Sequence, residues 1–132
     1  MEVKEKVIPK TVLFAVYGTL KKGHGNHGRI KGEGVEFMGN FKTEPKFTME
    51  SRGGFPAVYC TGDTSINCEL YKVSNPLVIR QVYALEGYSG VQGSQENWYD
   101  VETIETPFGK ASMFVFRNGN PNKNSIVTSG NW

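Results

Sequence analysis

The stretch Thr11-Val12-Leu13-Phe14-Ala15-Val16-Tyr17, followed by Gly18-Thr19-Leu20, decides the fold of this chain. Its first seven residues are mostly β-branched or aromatic and carry no charge, which is typical of a strand buried on both faces. Gly18 allows a sharp turn and exposes successive N–H groups at the strand end. Such a group of donors can hold a carboxylate, and an ordinary strand-to-loop turn is the alternative.

The rest of the chain predicts short strands and one clear helix. Ser74 or Asn75 can cap a helix that has Pro76 at its first position and ends at Gly87. A second short helix is expected near residues 27–30. Further strands are expected over 35–41, 46–50, 57–60, 67–73, 101–105 and 111–116. The pattern predicts a small mixed α+β fold with one or two packed helices, built on a curved or closed antiparallel sheet; in the closed form this is a small antiparallel or mixed β-barrel.

The composition indicates one small cytoplasmic domain. The 132 residues carry a formal net charge of +2, which is too balanced to indicate a nucleic-acid or membrane partner. No apolar run reaches the roughly 18–20 residues of a membrane span, and the N-terminus lacks the apolar core of a signal peptide. We expect an N-terminal arm over 1–11, a single domain over 12–132, and a monomer or weak homodimer.

The two cysteines, Cys60 and Cys68, flank a polar stretch that can form the tip of a hairpin. They form neither a CxxC pair nor a four-ligand metal set, so we expect reduced thiols on strands. The segment from Asn118 to Asn124 is rich in asparagine and predicts a loop or a disordered tail.

A glycine-rich segment, Gly23-His24-Gly25-Asn26-His27-Gly28, spells GxGxxG. We reject a dinucleotide site because five residues separate it from the strand and no full helix follows it. His24 and His27 have HxxH spacing, but no third ligand lies nearby in sequence. We therefore expect no metal and no cofactor.

Glu86 lies at the end of the predicted helix, just before Gly87. The helix dipole disfavours a negative charge at this end. If Tyr83, Leu85 and Tyr88 also shield the carboxyl group, its proton affinity rises, which suits a general acid/base near neutral pH. The alternative is an exposed glutamate with no role.

These segments together resemble the γ-glutamylcyclotransferase-like proteins, in the γ-glutamylamine cyclotransferase and AIG2-like branch. The resemblance begins with residues 12–23 and Asn26-His27, and it continues in order to the end of the chain. Its later motifs are Gly53-Gly54-Phe55-Pro56-Ala57-Val58, Glu69-Leu70-Tyr71-Lys72-Val73, Leu85-Glu86-Gly87-Tyr88 and Ser129-Gly130-Asn131-Trp132.

The resemblance implies an enzyme acting on a small γ-glutamyl compound, without a metal, a nucleotide or a covalent intermediate. The α-amino nitrogen of the substrate attacks its own γ-carbonyl, which yields 5-oxoproline and releases an amine or amino acid. Glu86 is the implied acid/base. The implied substrate-binding residues are Tyr17, Gly18, Thr19, Leu20, His27, Tyr88 and Tyr99.

The chain departs from the family pattern around the expected cleft. The usual Tyr-x-Arg is replaced by Trp98-Tyr99-Asp100, and a tyrosine on the last strand by Phe114 or Phe116. The departures point to a different leaving group, to a relocated arginine (Arg52 or Arg80), or to a protein that binds a small metabolite without turnover. An interaction protein using the aromatic residues Trp98, Tyr99 and Trp132 is a third reading.

Overall fold

The computed structural model describes residues 9–117 and 119–132. Seven strands, one α-helix and two short 3-10 helices follow one another in these residues. The strands are β1 Val12–Val16, β2 Val35–Lys42, β3 Phe47–Ser51, β4 Pro56–Thr64, β5 Asn67–Val73, β6 Asp100–Thr106 and β7 Gly109–Val115. The helix α1 is Pro76–Glu86, and the 3-10 helices are His27–Ile30 and Lys123–Ser125.

Strand β1 lies at the centre of a five-stranded sheet with the order β2-β5-β1-β7-β6. It pairs antiparallel with β5 and parallel with β7, so both of its edges are hydrogen-bonded. Phe14 and Ala15 are almost fully buried, one on each face of the strand. The expectation of a strand buried on both faces is therefore confirmed.

Strands β3 and β4 form a separate two-stranded sheet. An isolated parallel bridge between Tyr59 and Phe116 joins this sheet to the end of β7. The mixed α+β class with one main helix is confirmed. The ladders of the described residues do not close a continuous barrel, because the outer strands β2 and β6 are not hydrogen-bonded to each other.

Two apolar clusters fill the two faces of the large sheet. The first packs α1 against the sheet through Phe14, Ile79 and Val82. The second packs the β3–β4 sheet against the other face through Met49, Leu70 and Met113. Because the sheet is covered on both faces, the end of β1 is held rigidly between the two clusters.

Helix α1 begins and ends where its sequence predicts. The Asn75 side chain accepts a hydrogen bond of 3.0 Å from the Leu77 amide, and Pro76 occupies the first turn. Gly87 ends the helix in the left-handed region, with a φ of 63°. Glu86 is therefore the last residue of a helix whose end is fixed by backbone geometry.

The predicted hairpin between Cys60 and Cys68 is wrong. Strand β4 pairs with β3, whereas β5 pairs with β1 and β2, so the two cysteines lie in different sheets. Both thiols are free, as expected. Burial raises the pKa of Cys60 to about 11 and that of Cys68 to about 12, so neither is a ready nucleophile.

The predicted N-terminal arm falls mostly outside the described residues, which begin at residue 9. In the predicted tail over 118–124, residue 118 also lies outside them, and residues 119–122 form no helix or strand. Lys123–Ser125 then forms a single 3-10 turn. In the described part of the chain, no helix has the length and apolarity needed to cross a bilayer.

Candidate active site

A cavity of about 210 Å³ opens where β1 ends and α1 ends. This volume lies below the roughly 300–1,000 Å³ of typical drug-sized sites, so the cavity suits a small metabolite. The predicted residues that line it are Tyr17, Gly18, Thr19, Leu20, Glu86 and Tyr99. The structure therefore brings together two segments more than sixty positions apart, as the sequence predicts.

The loop from Gly18 to Leu20 offers backbone donors to this cavity. Its carbonyls are used inside the turn, since the Lys21 amide donates to Gly18 O at 3.0 Å and the Asn26 amide to Thr19 O at 2.9 Å. In the described part of the chain, the amides of Gly18, Thr19 and Leu20 have no hydrogen-bond acceptor. Unpaired amides at a cavity wall are suited to an anionic ligand.

Gly18 is needed for a different reason from the one expected. Its φ does not lie in the left-handed region, so a sharp turn is not what requires glycine. A Cβ at this position would lie 2.8 Å and 2.9 Å from the ring carbons Cγ and Cδ of Pro56. Glycine is therefore required by the close approach of the loop to β4.

The next residues support the loop from behind. The Asn26 side-chain amide donates to Thr19 Oγ1 at 2.9 Å, and Asn26 also lines the cavity. His27 Nδ1 lies 2.9 Å from Leu20 O, so this nitrogen carries the proton in the bonded tautomer. His27 is not part of the cavity lining, and its ring contacts Tyr71 instead.

The Glu86 side chain is half-buried in the cavity wall. Within the described residues it has neither a salt-bridge partner nor a hydrogen-bond donor to stabilise its charge. Burial raises the pKa of Glu86 from 4.5 to about 7. Both the acid and the carboxylate are therefore well populated near neutral pH.

The backbone after Glu86 fixes the approach of the following loop. The Tyr99 amide donates to Glu86 O at 3.1 Å, and the Trp98 amide donates to Gly87 O at 2.9 Å. A Cβ at Gly87 would lie 2.9 Å from Trp98 Cβ, so only glycine permits this close crossing. Trp98 is thereby held next to Glu86.

Two of the predicted tyrosines, Tyr17 and Tyr99, contribute rings to the cavity wall rather than free hydroxyl groups. Tyr17 donates to Phe114 O at 2.6 Å, and Tyr99 donates to Pro56 O at 2.6 Å. Burial, with a smaller contribution from the negative charge of Glu86, raises the pKa of both phenols. Tyr88 does not line the cavity, and its ring packs edge-on against Tyr83.

Several cavity residues were not predicted as site residues. They are Ala15, Val16, Asn26, Gly54, Phe55, Pro56, Leu85, Trp98 and Phe114. The Gly53-Gly54-Phe55-Pro56 motif was visible in the sequence, but its position depends on the separate β3–β4 sheet. No local pattern indicates which sheet that motif joins.

Asp100, the acidic departure from the family pattern, points away from the cavity lining. Its Oδ2 accepts from the Gly93 amide at 2.9 Å and lies 3.2 Å from Arg117 Nε. The Asp100 carboxylate thus anchors the preceding loop. Neither Arg52 nor Arg80 lines the cavity, and no three His, Cys, Asp or Glu side chains of the described residues cluster as a metal site.

A small cavity with unpaired backbone donors and one titratable carboxylate defines an α+β protein that can bind a compact anion and move a proton. The protein-family model described as "Gamma-glutamyl cyclotransferase, AIG2-like" matches residues 14–132 of this chain. The chain belongs to this family, and membership supports a cyclotransferase-type function acting on small γ-glutamyl compounds.

Individual relatives agree with this assignment. The chain is 31% identical over 120 residues to a Vibrio cholerae protein named "Putative gamma-glutamylcyclotransferase", covering 91% of this chain and 94% of the relative. A Pyrococcus horikoshii crystal structure has a TM-score of 0.69 at 24% identity, covering 91% of this chain and 88% of its own. An aig2-like protein from Mus musculus has a TM-score of 0.66 at 16% identity, covering 94% and 89%. These two structures show the fold alone.

Proposed function

We propose that the protein is a γ-glutamyl cyclotransferase that converts a small γ-glutamyl compound to 5-oxoproline and a free amine or amino acid. The observation that supports this most is that Glu86, with a pKa of about 7, shares a small cavity with unpaired backbone amides. Neither group alone would favour this reaction over simple binding.

The Gly18–Leu20 amides are suited to anchor the α-carboxylate of the γ-glutamyl group. An anchored carboxylate leaves the substrate's α-amino group free to curl back toward its γ-carbonyl. Because both reacting groups belong to one molecule, the main task of the protein is to hold the bent conformer. Orientation of this kind contributes up to about 7–11 kcal/mol in favourable systems.

Glu86 handles the protons. The lone pair of the α-amino nitrogen forms the new C–N bond at the γ-carbonyl carbon, and the Glu86 carboxylate takes the proton that this nitrogen loses. When the old amide bond breaks, the protonated Glu86 returns that proton to the leaving nitrogen. The reaction consumes no water and no oxidant, and it forms no covalent enzyme intermediate. Its products are 5-oxoproline and the amine or amino acid.

The direct experiment incubates the protein with a panel of γ-glutamyl amines and γ-glutamyl amino acids and measures 5-oxoproline by mass spectrometry. We expect product with the native chain and a loss of at least about a hundredfold in kcat for Glu86→Gln, the usual scale for an acid/base. Glu105→Gln is the matched control, because Glu105 is exposed on β6.

Undiminished product with Glu86→Gln would refute the role of Glu86. The departures at Trp98 and Asp100 keep a second candidate open, a protein that retains a small metabolite without turnover. Tight binding of a γ-glutamyl compound with no 5-oxoproline after prolonged incubation would establish that candidate instead.

A further inference from the structure

The outer wall of the cavity is aromatic. Trp98 lies edge-on to Phe55, with ring centroids 5.5 Å apart, and it also contacts Tyr99 and Phe116 at 5.1 Å and 5.7 Å. Despite these contacts Trp98 remains 55% exposed. Trp98 therefore lies at the mouth of the cavity, because its ring lines the cavity and is still half-exposed to solvent. The exposed surface of the ring can contact a ligand.

The described residues of the same wall include no cation. Among the described residues that line the cavity, Glu86 is the only one, apart from the tyrosines, whose side chain can ionise. Arg52 stands over the Phe116 ring at 5.1 Å, outside the lining. Its guanidinium pairs at 3.2 Å with Glu50, so its charge is already balanced.

The Glu50 carboxylate is itself firmly held. It is 4% exposed and accepts hydrogen bonds from Tyr59 and from the Asn122 amide. Releasing Arg52 to a ligand would leave this buried carboxylate with less compensation, which is costly. Among the described residues that line the cavity, a carboxylate on the departing part of the substrate would therefore meet no positive charge, and it would lie near Glu86.

We propose that Trp98 and Phe55 form a specificity site for the leaving group, which selects an aromatic amine without a carboxylate over an amino acid. This inference rests on the proposed function, since it concerns the half of the substrate that departs. The γ-glutamyl half lies against the Gly18–Leu20 amides, and the aromatic ring of the amine packs on the exposed surface of Trp98.

Three substrates separate the contributions of ring and charge. γ-Glutamylphenethylamine carries the ring, γ-glutamylphenylalanine adds a carboxylate to the same skeleton, and γ-glutamylethylamine lacks the ring. We expect kcat/KM for the phenethylamine compound to exceed that for the ethylamine compound about tenfold, which corresponds to about 1.4 kcal/mol from the aromatic contact with Trp98. It should also exceed that for γ-glutamylphenylalanine at least about tenfold.

Variants then locate the effect. Trp98→Leu should reduce the phenethylamine-to-ethylamine ratio of kcat/KM to within about threefold, and Trp98→Phe should keep most of it. Phe108→Leu is the matched control, because Phe108 is a 52% exposed aromatic residue in the β6–β7 turn, outside the cavity. Its ratio should equal that of the native chain.

The outcomes separate this inference from the proposed function. Equal kcat/KM values for all three substrates, or a higher kcat/KM for γ-glutamylphenylalanine, would overturn the aromatic specificity. The cyclotransferase activity itself would still be supported. If no compound yields 5-oxoproline, the proposed function fails, and calorimetric binding decides the inference. An approximately tenfold tighter Kd for the phenethylamine compound, lost in Trp98→Leu, supports it, and equal or absent binding overturns it.

Discussion

The half-buried carboxyl group of Glu86 leads to a stability prediction that needs no substrate. Its pKa is about 7 in the folded chain and 4.5 ordinarily, because burial favours the neutral form. Since the folded state binds this proton more tightly, stability is full below the unfolded pKa and is lost as the pH rises toward 7. Each pKa unit corresponds to about 1.36 kcal/mol, so ionised Glu86 lowers the free energy of unfolding by about 3 kcal/mol above pH 8.

Glu86→Gln removes this pH-dependent cost because the amide stays neutral. Thermal unfolding of both proteins between pH 4 and pH 8 should show the smallest difference in Tm at pH 4. The variant should become the more stable protein by about 10 °C at pH 8, taking about 3–4 °C per kcal/mol for a domain of this size. Glu105→Gln should follow the native curve. A Glu86→Gln advantage that is constant across this range would refute the reasoning.

Three further changes test the supports of the site. Gly18→Ala places a Cβ against the Pro56 ring. We expect the free energy of unfolding, measured with denaturant, to fall by about 1–3 kcal/mol, and kcat/KM to fall by more than this free energy corresponds to. Gly25→Ala has open space around its new Cβ and should change neither quantity. Tyr99→Phe removes the hydroxyl that donates to a β4 carbonyl. The free energy of unfolding should fall by about 1–3 kcal/mol. A KM increase beyond tenfold would instead show that this hydroxyl binds substrate. Asp100→Ala should expose the preceding loop to limited proteolysis, and unchanged cleavage would contradict its anchoring role.

Local sequence signals were sufficient to predict the elements that position Glu86. The Asn75 side chain, the ring of Pro76 and the freedom of Gly87 each act within one turn of the helix, so the sequence predicts both ends of α1. The burial of β1 was also predictable, because an uncharged β-branched strand needs cover on both faces.

Contacts between distant segments were beyond such reasoning. The hairpin error arose because β5 finds better partners in β1 and β2 than in its neighbour β4. Tyr99 lines the cavity, but the sequence does not indicate that its hydroxyl donates to a carbonyl of β4. The role of Asp100 depends on Arg117, which returns to it only after the β6–β7 hairpin. Each of these partners is chosen by tertiary packing.

The parallel pairing of β1 with β7 has a consequence for synthesis of the protein. This pairing joins residues 14 and 112, and Phe114 of β7 supplies part of the cavity wall. A growing chain on the ribosome therefore cannot finish the pocket until β7 has emerged. Such long-range closure favours slow maturation, so any activity arises only after β7 has been synthesised and has paired with β1.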